Sequence, residues 1–226
     1  MATYVLVHGG NMTTDTWNKL AKRNDYPPGG RLGGRVWDSI IPALLAQNHS
    51  VFAPTLTDER SSSLTGHIKQ VCTLITGHDL KDVILAGHSY GGMVITGAAA
   101  GIPDRIRRLV YVDAALPDPG QSLYDILRLG LSTASGSRPA LPEPDPPYVE
   151  KLQYDARTIE PLQKTYILCT KSEFAAVTRI AKQKIAAAKE GWTYIELPSS
   201  HVPMADMPDG ICRLLLDAAE KYPDSK

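Results

Sequence analysis

The stretch Asp82-Val83-Ile84-Leu85-Ala86-Gly87-His88-Ser89-Tyr90-Gly91-Gly92-Met93 constrains this chain more than any other. An apolar run ends in Gly-x-Ser-x-Gly, and a small-residue pattern of helical character begins at once. That order reads as a strand, a sharp turn and a helix, with a serine at the apex. Gly87 and Gly91 let the helix pack close to the strand and permit a strained turn. The turn pushes the serine hydroxyl out of the sheet, where a substrate carbonyl can reach it. Ser89 is therefore the candidate nucleophile. Three fixed positions are a weak signal alone, so the weight falls on what accompanies them.

Strand-like and helix-like segments alternate along the rest of the chain. Apolar runs at 4–7, 51–53, 83–86, 109–112, 166–169 and 193–197 read as short buried strands. Helical apolar spacing marks 37–47, 64–76, 91–100, 173–189 and 210–221. This alternation predicts an α/β fold with a mostly parallel sheet covered by helices on both faces. Two stretches interrupt it. Residues 13–34, with Tyr26-Pro27-Pro28-Gly29-Gly30 and Gly33-Gly34, read as a loop with a helical piece around 17–22. Its glycines lack the Lys-Ser/Thr that a phosphate-binding loop needs. Residues 117–163 contain Pro139, Pro142, Pro144, Pro146 and Pro147, with helical pieces around 122–131 and 148–152. Their position suits a small lid. The expected division is a core of 1–116 and 164–226, a lid of 117–163 and an insertion at 13–34.

Composition closes off several function classes. The chain has 226 residues, enough for one sizeable core. Its 24 basic and 24 acidic side chains balance, which argues against nucleic acid or an anionic membrane as partner. The short run Arg105-Ile106-Arg107-Arg108 reads as a solvated loop before a strand. Cys72, Cys169 and Cys212 are odd in number and far apart, which suggests reduced, packed thiols. No metal-ligand cluster and no membrane-length apolar run stands out. Reduced thiols point to a cytoplasmic location, and Tyr4-Val5-Leu6-Val7 is too short for the hydrophobic part of a secretion signal and reads as a strand.

A serine hydroxyl needs a base within hydrogen-bond reach, and the base needs an orienting acid. His201 follows the last strand, at the carboxyl edge where Ser89 emerges, and is the candidate base. His49, His67 and His78 sit in ordinary polar or helical contexts, His88 points elsewhere, and His8 shapes a loop. Two acids are open: Glu173, after the strand ending at Cys169, and Asp113, after the strand ending at Val112. His8-Gly9-Gly10-Asn11 follows the first strand, and its glycines can turn backbone N–H groups toward the site. The expected oxyanion donors are the backbone N–H groups of Gly10 and Tyr90. Trp17 or Tyr26 is expected to contact substrate from the insertion.

With Val7-His8-Gly9-Gly10, Gly87-His88-Ser89-Tyr90-Gly91-Gly92-Met93 and His201 in this order, the chain resembles an α/β-hydrolase. More narrowly, it is similar to the branch containing plant methylesterases, hydroxynitrile lyases and bacterial esterase relatives. Val51-Phe52-Ala53-Pro54-Thr55-Leu56, Leu109-Val110-Tyr111-Val112-Asp113-Ala114 and His201-Val202-Pro203-Met204 support it, over nearly the whole chain. The resemblance implies nucleophile, acid and histidine in that chain order, with the acid after the strand at 166–169. That favours Glu173 over Asp113, although aspartate is more usual there. It also implies a cofactor-independent carboxylesterase acting on small esters. The branch's lyases carry a lysine directly after the histidine and a threonine just after the first strand's histidine. Here those positions hold Val202 and Gly9. A non-catalytic ligand receptor on the same fold is the other alternative. The insertion at 13–34 and the short lid depart from the branch's usual pattern.

Overall fold

The computed structural model describes residues 1–10, 12–132, 144–188 and 190–220. Asn11, Pro139, Pro142, Lys189 and Lys221, each included in an expectation above, lie outside the described residues.

Six strands form one sheet: β1 (Thr3–Val7), β2 (Ser50–Phe52), β3 (Val83–His88), β4 (Ile106–Val112), β5 (Gln163–Cys169) and β6 (Trp192–Leu197). Their order is β2-β1-β3-β4-β5-β6, and every pairing is parallel. The inner strands carry the apolar runs 4–7, 83–86, 109–112 and 166–169 because both of their faces are buried. Alternate side chains feed two separate cores. Val5, Val7, Val83, Leu85, Leu109 and Tyr111 face one, while Tyr4, Leu6, Ile84, Ala86, Val110 and Val112 face the other.

Nine α-helices are described: α1 (Thr14–Ala21), α2 (Ile41–Ala46), α3 (Leu64–Gly77), α4 (Gly91–Gly101), α5 (Leu123–Ser132), α6 (Pro146–Val149), α7 (Ala175–Ala187), α8 (Pro203–Asp206) and α9 (Pro208–Glu220). Side chains of α3, α4, α5 and α7 fill the first core, and those of α1, α2, α8 and α9 the second. Helix α4 is buried on nearly every side, which explains its apolar and small residues. Ser63 caps α3 by accepting from Gly66 N at 3.0 Å, and Thr13 caps α1 from Thr16 N at 3.2 Å.

Some local expectations change. The single helix expected over 37–47 is a 3₁₀ turn, Gly33–Trp37, followed by α2. Pro42 sits in the first turn of α2, where its missing N–H interrupts no helical bond. The run 105–108 is not a solvated loop. β4 begins at Ile106, and the buried Arg108 donates to Thr165 Oγ1 at 3.2 Å. The insertion folds back on itself: Thr14 N donates to Gly30 O at 2.9 Å and Leu32 N to Met12 O at 3.0 Å. Its helical piece is α1, stopped at Lys22, whose φ is 53°.

Candidate active site

Ser89 stands between β3 and α4 with φ 56°, a left-handed conformation that strains any residue with a side chain. Backbone bonds hold it there. Ser89 N donates to Val112 O at 3.2 Å, and Ser89 O accepts from Gly92 N at 3.1 Å and Ala115 N at 3.0 Å. Gly91 must be a glycine, since a methyl there would stand 2.8 Å from Val7 O. Gly9 is equally constrained: its α-carbon abuts the nucleophile, and a methyl would stand 2.6 Å from Ser89 Cβ. The loop after β1, with Gly10, is thereby pressed against Ser89, and Tyr90 N-caps α4 beside it.

His201 reaches Ser89 from the far side of the sheet. After β6, Ser199 Oγ donates to Asp206 Oδ1 at 2.6 Å and Ser200 N to Asp206 Oδ2 at 2.8 Å, folding the segment onto α8. Lys171 N also donates to Ser199 O at 3.0 Å. His201 Nε2 then lies 2.9 Å from Ser89 Oγ, and Nδ1 lies 2.6 Å from Asp113 Oδ2. These partners put the ring proton on Nδ1 and leave Nε2 free to accept.

The preference for Glu173 is corrected by this geometry. Glu173 is exposed just before α7, whereas Asp113 is fully buried at the end of β4. Asp113 has φ 46°, and its N donates to Ile167 O at 2.8 Å, which turns the side chain across the sheet edge toward His201. Its carboxylate also accepts from Cys169 N at 3.0 Å and from the Ser172 hydroxyl. Ser172 thus occupies the place after β5 where an acid was expected, and supports Asp113. Phe174 N donates to Ser172 Oγ at 3.0 Å, and the Phe174 ring packs on His201, with centroids 4.7 Å apart.

Two more histidines build the walls. Leu56 N donates to His8 Nε2 at 2.9 Å, so His8 carries its proton on Nδ1, which donates to Gly9 O at 2.7 Å. Burial pushes its pKa down to about 4, which keeps it neutral. His67, read as an ordinary helical residue, is fully buried and anchors Tyr90. Its Nε2 donates to Thr57 O at 2.9 Å, and its Nδ1 accepts from the Tyr90 hydroxyl at 3.0 Å. No local sequence signal marked this pair, because its members sit on different helices.

Trp17 and Tyr26 do not serve as expected. Both rings are buried in the second core, and their polar atoms are used within the insertion and the turn after it. Trp17 Nε1 donates to Asp25 at 3.0 Å and the Tyr26 hydroxyl to Asp38 at 3.1 Å, while Arg35 lies over the Tyr26 ring. They knit the insertion to the core.

The sequence profile of a family described as alpha/beta hydrolase matches residues 4–214. The chain belongs to the alpha/beta hydrolase family. A carbendazim hydrolyzing esterase from Nocardioides sp. (strain SG-4G) is 30% identical over 260 aligned residues, covering 95% of this chain and 98% of that one. Methylesterase 8 of Arabidopsis thaliana is 34% identical over 115 residues, 46% of this chain and 42% of that one. Among solved structures, an extracellular alpha/beta-hydrolase from a Paenibacillus species superposes with a TM-score of 0.71 at 24% identity, covering 96% and 99% of the two chains. In this alpha/beta hydrolase, Ser89, Asp113 and His201 follow the carboxyl ends of the parallel strands β3, β4 and β6. Among the described residues of this alpha/beta hydrolase, no group of three or more His, Cys, Asp or Glu side chains could hold a metal ion. Among them, too, no helix is long and apolar enough to cross a membrane.

Proposed function

We propose that this chain is a cofactor-independent serine hydrolase that cleaves small carboxylic esters through an acyl-enzyme intermediate. The observation that carries the reading is the continuous line Ser89 Oγ, His201 and Asp113, with spacings of 2.9 and 2.6 Å. His201 Nε2 takes the Ser89 proton as Oγ attacks the ester carbonyl. Asp113 holds the imidazole in the tautomer that can accept and stabilises the imidazolium that results. The backbone N–H groups of Gly10 and Tyr90 face the oxygen that becomes negative, each worth roughly 3–4 kcal/mol of transition-state stabilisation. His201 returns the proton to the departing alcohol, then activates a water that releases the acid.

Ester chemistry is favoured by the esterases among the relatives of this alpha/beta hydrolase. We assign the described residues of 117–163, which are 117–132 and 144–163, to a lid on the same site, supported by Tyr148 of α6, whose ring lies edge-on to Tyr90 with centroids 5.0 Å apart. The free thiols Cys72, Cys169 and Cys212 suit a reducing, cytoplasmic setting. A panel of short p-nitrophenyl esters tests the reading. Turnover is expected from the wild type and at least about a thousandfold less from Ser89→Ala. Equal turnover by the two would exclude Ser89 as the nucleophile.

A further inference from the structure

Asp206 lies outside the proposed proton path, yet its carboxylate grips the chain directly before His201. Oδ1 accepts from Ser199 Oγ at 2.6 Å and Oδ2 from Ser200 N at 2.8 Å. Ser199 is fully buried, while Asp206 itself is exposed at the end of α8. Both bonds are charge-assisted, and two neighbouring donors on one carboxylate fix an orientation that either bond alone would leave free.

The helix that carries Asp206 is itself anchored. Met204 O accepts from Ser39 Oγ at 2.8 Å, and Val202, Pro203, Met204 and Ala205 are buried. Asp206 therefore ties the turn before the base to a rigid part of the second core. Other bonds keep that turn in the fold: Ser199 N donates to Leu197 O at 2.8 Å, and Ser199 O accepts from Lys171 N at 3.0 Å. Neither reaches Ser200 N, one residue before the base, which Asp206 holds. A turn of the chain at that point swings the His201 ring.

His201 serves the proposed reaction only when Nε2 meets Ser89 Oγ and Nδ1 meets Asp113 together, at 2.9 and 2.6 Å. A misplacement of about 1 Å at such a group can lower a rate by about 100-fold. Resting on the esterase reading, we propose that Asp206 is a positioning residue for the reaction: it sets the angle at which His201 meets Ser89 and Asp113. Both half-reactions pass their proton through His201, so loss of Asp206 slows acylation and deacylation alike and leaves KM in place.

Two variants test this. Asp206→Ala removes both acceptors, and Asp206→Asn keeps one of them in the same shape. On a p-nitrophenyl ester, kcat is expected to fall about tenfold or more in Asp206→Ala and about threefold or more in Asp206→Asn, with KM within about twofold in both. Labelling by a fluorophosphonate is expected to slow by the same factors and still to reach one adduct per chain. An unchanged kcat in Asp206→Ala, or a raised KM with kcat unchanged, overturns the proposal. Labelling of only part of the chains at the wild-type rate overturns it too, because a role confined to holding the fold lowers the endpoint and not the rate. If the wild type neither cleaves the ester nor takes the label, the esterase reading itself has failed, and the proposal with it.

Discussion

His88 donates from Nε2 to the carbonyl oxygen of His201 at 2.7 Å. The residue beside the candidate nucleophile thus holds the loop that carries the candidate base. The two rings also pack against each other with centroids 4.7 Å apart, and Trp37 meets His88 edge-on. Burial, and behind it the neighbouring His201, push the His88 pKa well below its ordinary value. A neutral His88 therefore adds no competing charge beside the base. His88→Leu keeps comparable volume but removes the donor from a partly buried carbonyl. It is expected to lower kcat by about 10- to 100-fold, in line with about 1–3 kcal/mol for an unsatisfied polar group. Because His88 acts through His201, KM is expected to move far less than kcat, which steady-state kinetics will separate.

The choice of acid is directly testable. Asp113→Asn keeps the shape of the side chain but removes the charge that fixes the His201 tautomer. A fall in kcat of about 10⁴-fold is expected. Glu173→Gln, at an exposed site without a bond to His201, is expected to stay within about twofold of wild type. The reverse pattern would return the role to Glu173.

Ser172 makes a subtler contribution, since its hydroxyl donates to Asp113 and accepts from Phe174 N at 3.0 Å. Ser172→Ala removes one donor from a buried carboxylate and one acceptor from a backbone amide. About 1–3 kcal/mol of stability is expected to be lost, read by urea denaturation.

Stability should also depend on pH through His8. Its folded pKa, about 4, lies below the ordinary 6.5. Between those values the unfolded chain binds a proton that the folded chain refuses, because burial disfavours the charged ring. Stability from this group is therefore complete above about pH 6.5, falls as the pH drops, and is lost once the pH passes about 4. The loss is about 3 kcal/mol for His8, and His88 acts in the same direction. Denaturation midpoints from pH 7.5 to 4 will show it. A midpoint that holds steady or rises from pH 7 to 5 contradicts the assignment.

Much of this was visible in the chain itself, and what was not has a common cause. The four inner strands could be read because burial on both faces gives each an apolar run. Ser89 and His201 were marked by features local in sequence: a glycine-flanked turn, and a histidine directly after the last strand. The partner of His201 was not local. Asp113 and Glu173 follow adjacent strands, and the turn at Asp113, together with a serine at 172, sets Asp113 beside His201. Trp17 and Tyr26 misled for a similar reason. Their partners Asp25 and Asp38 are close in sequence, but the fold-back that buries both rings depends on bonds between Thr14 and Gly30 and between Met12 and Leu32. The Tyr90–His67 and Tyr148–Glu59 contacts join separate helices and loops, so no spacing announces them.

The central claim is that Ser89 is the nucleophile. Intact-protein mass spectrometry after treatment with a fluorophosphonate, followed by peptide mapping, tests it most directly. The account predicts one adduct per chain, located on Ser89, and none on Ser89→Ala. An unlabelled wild type, or an adduct that persists in Ser89→Ala, would contradict it.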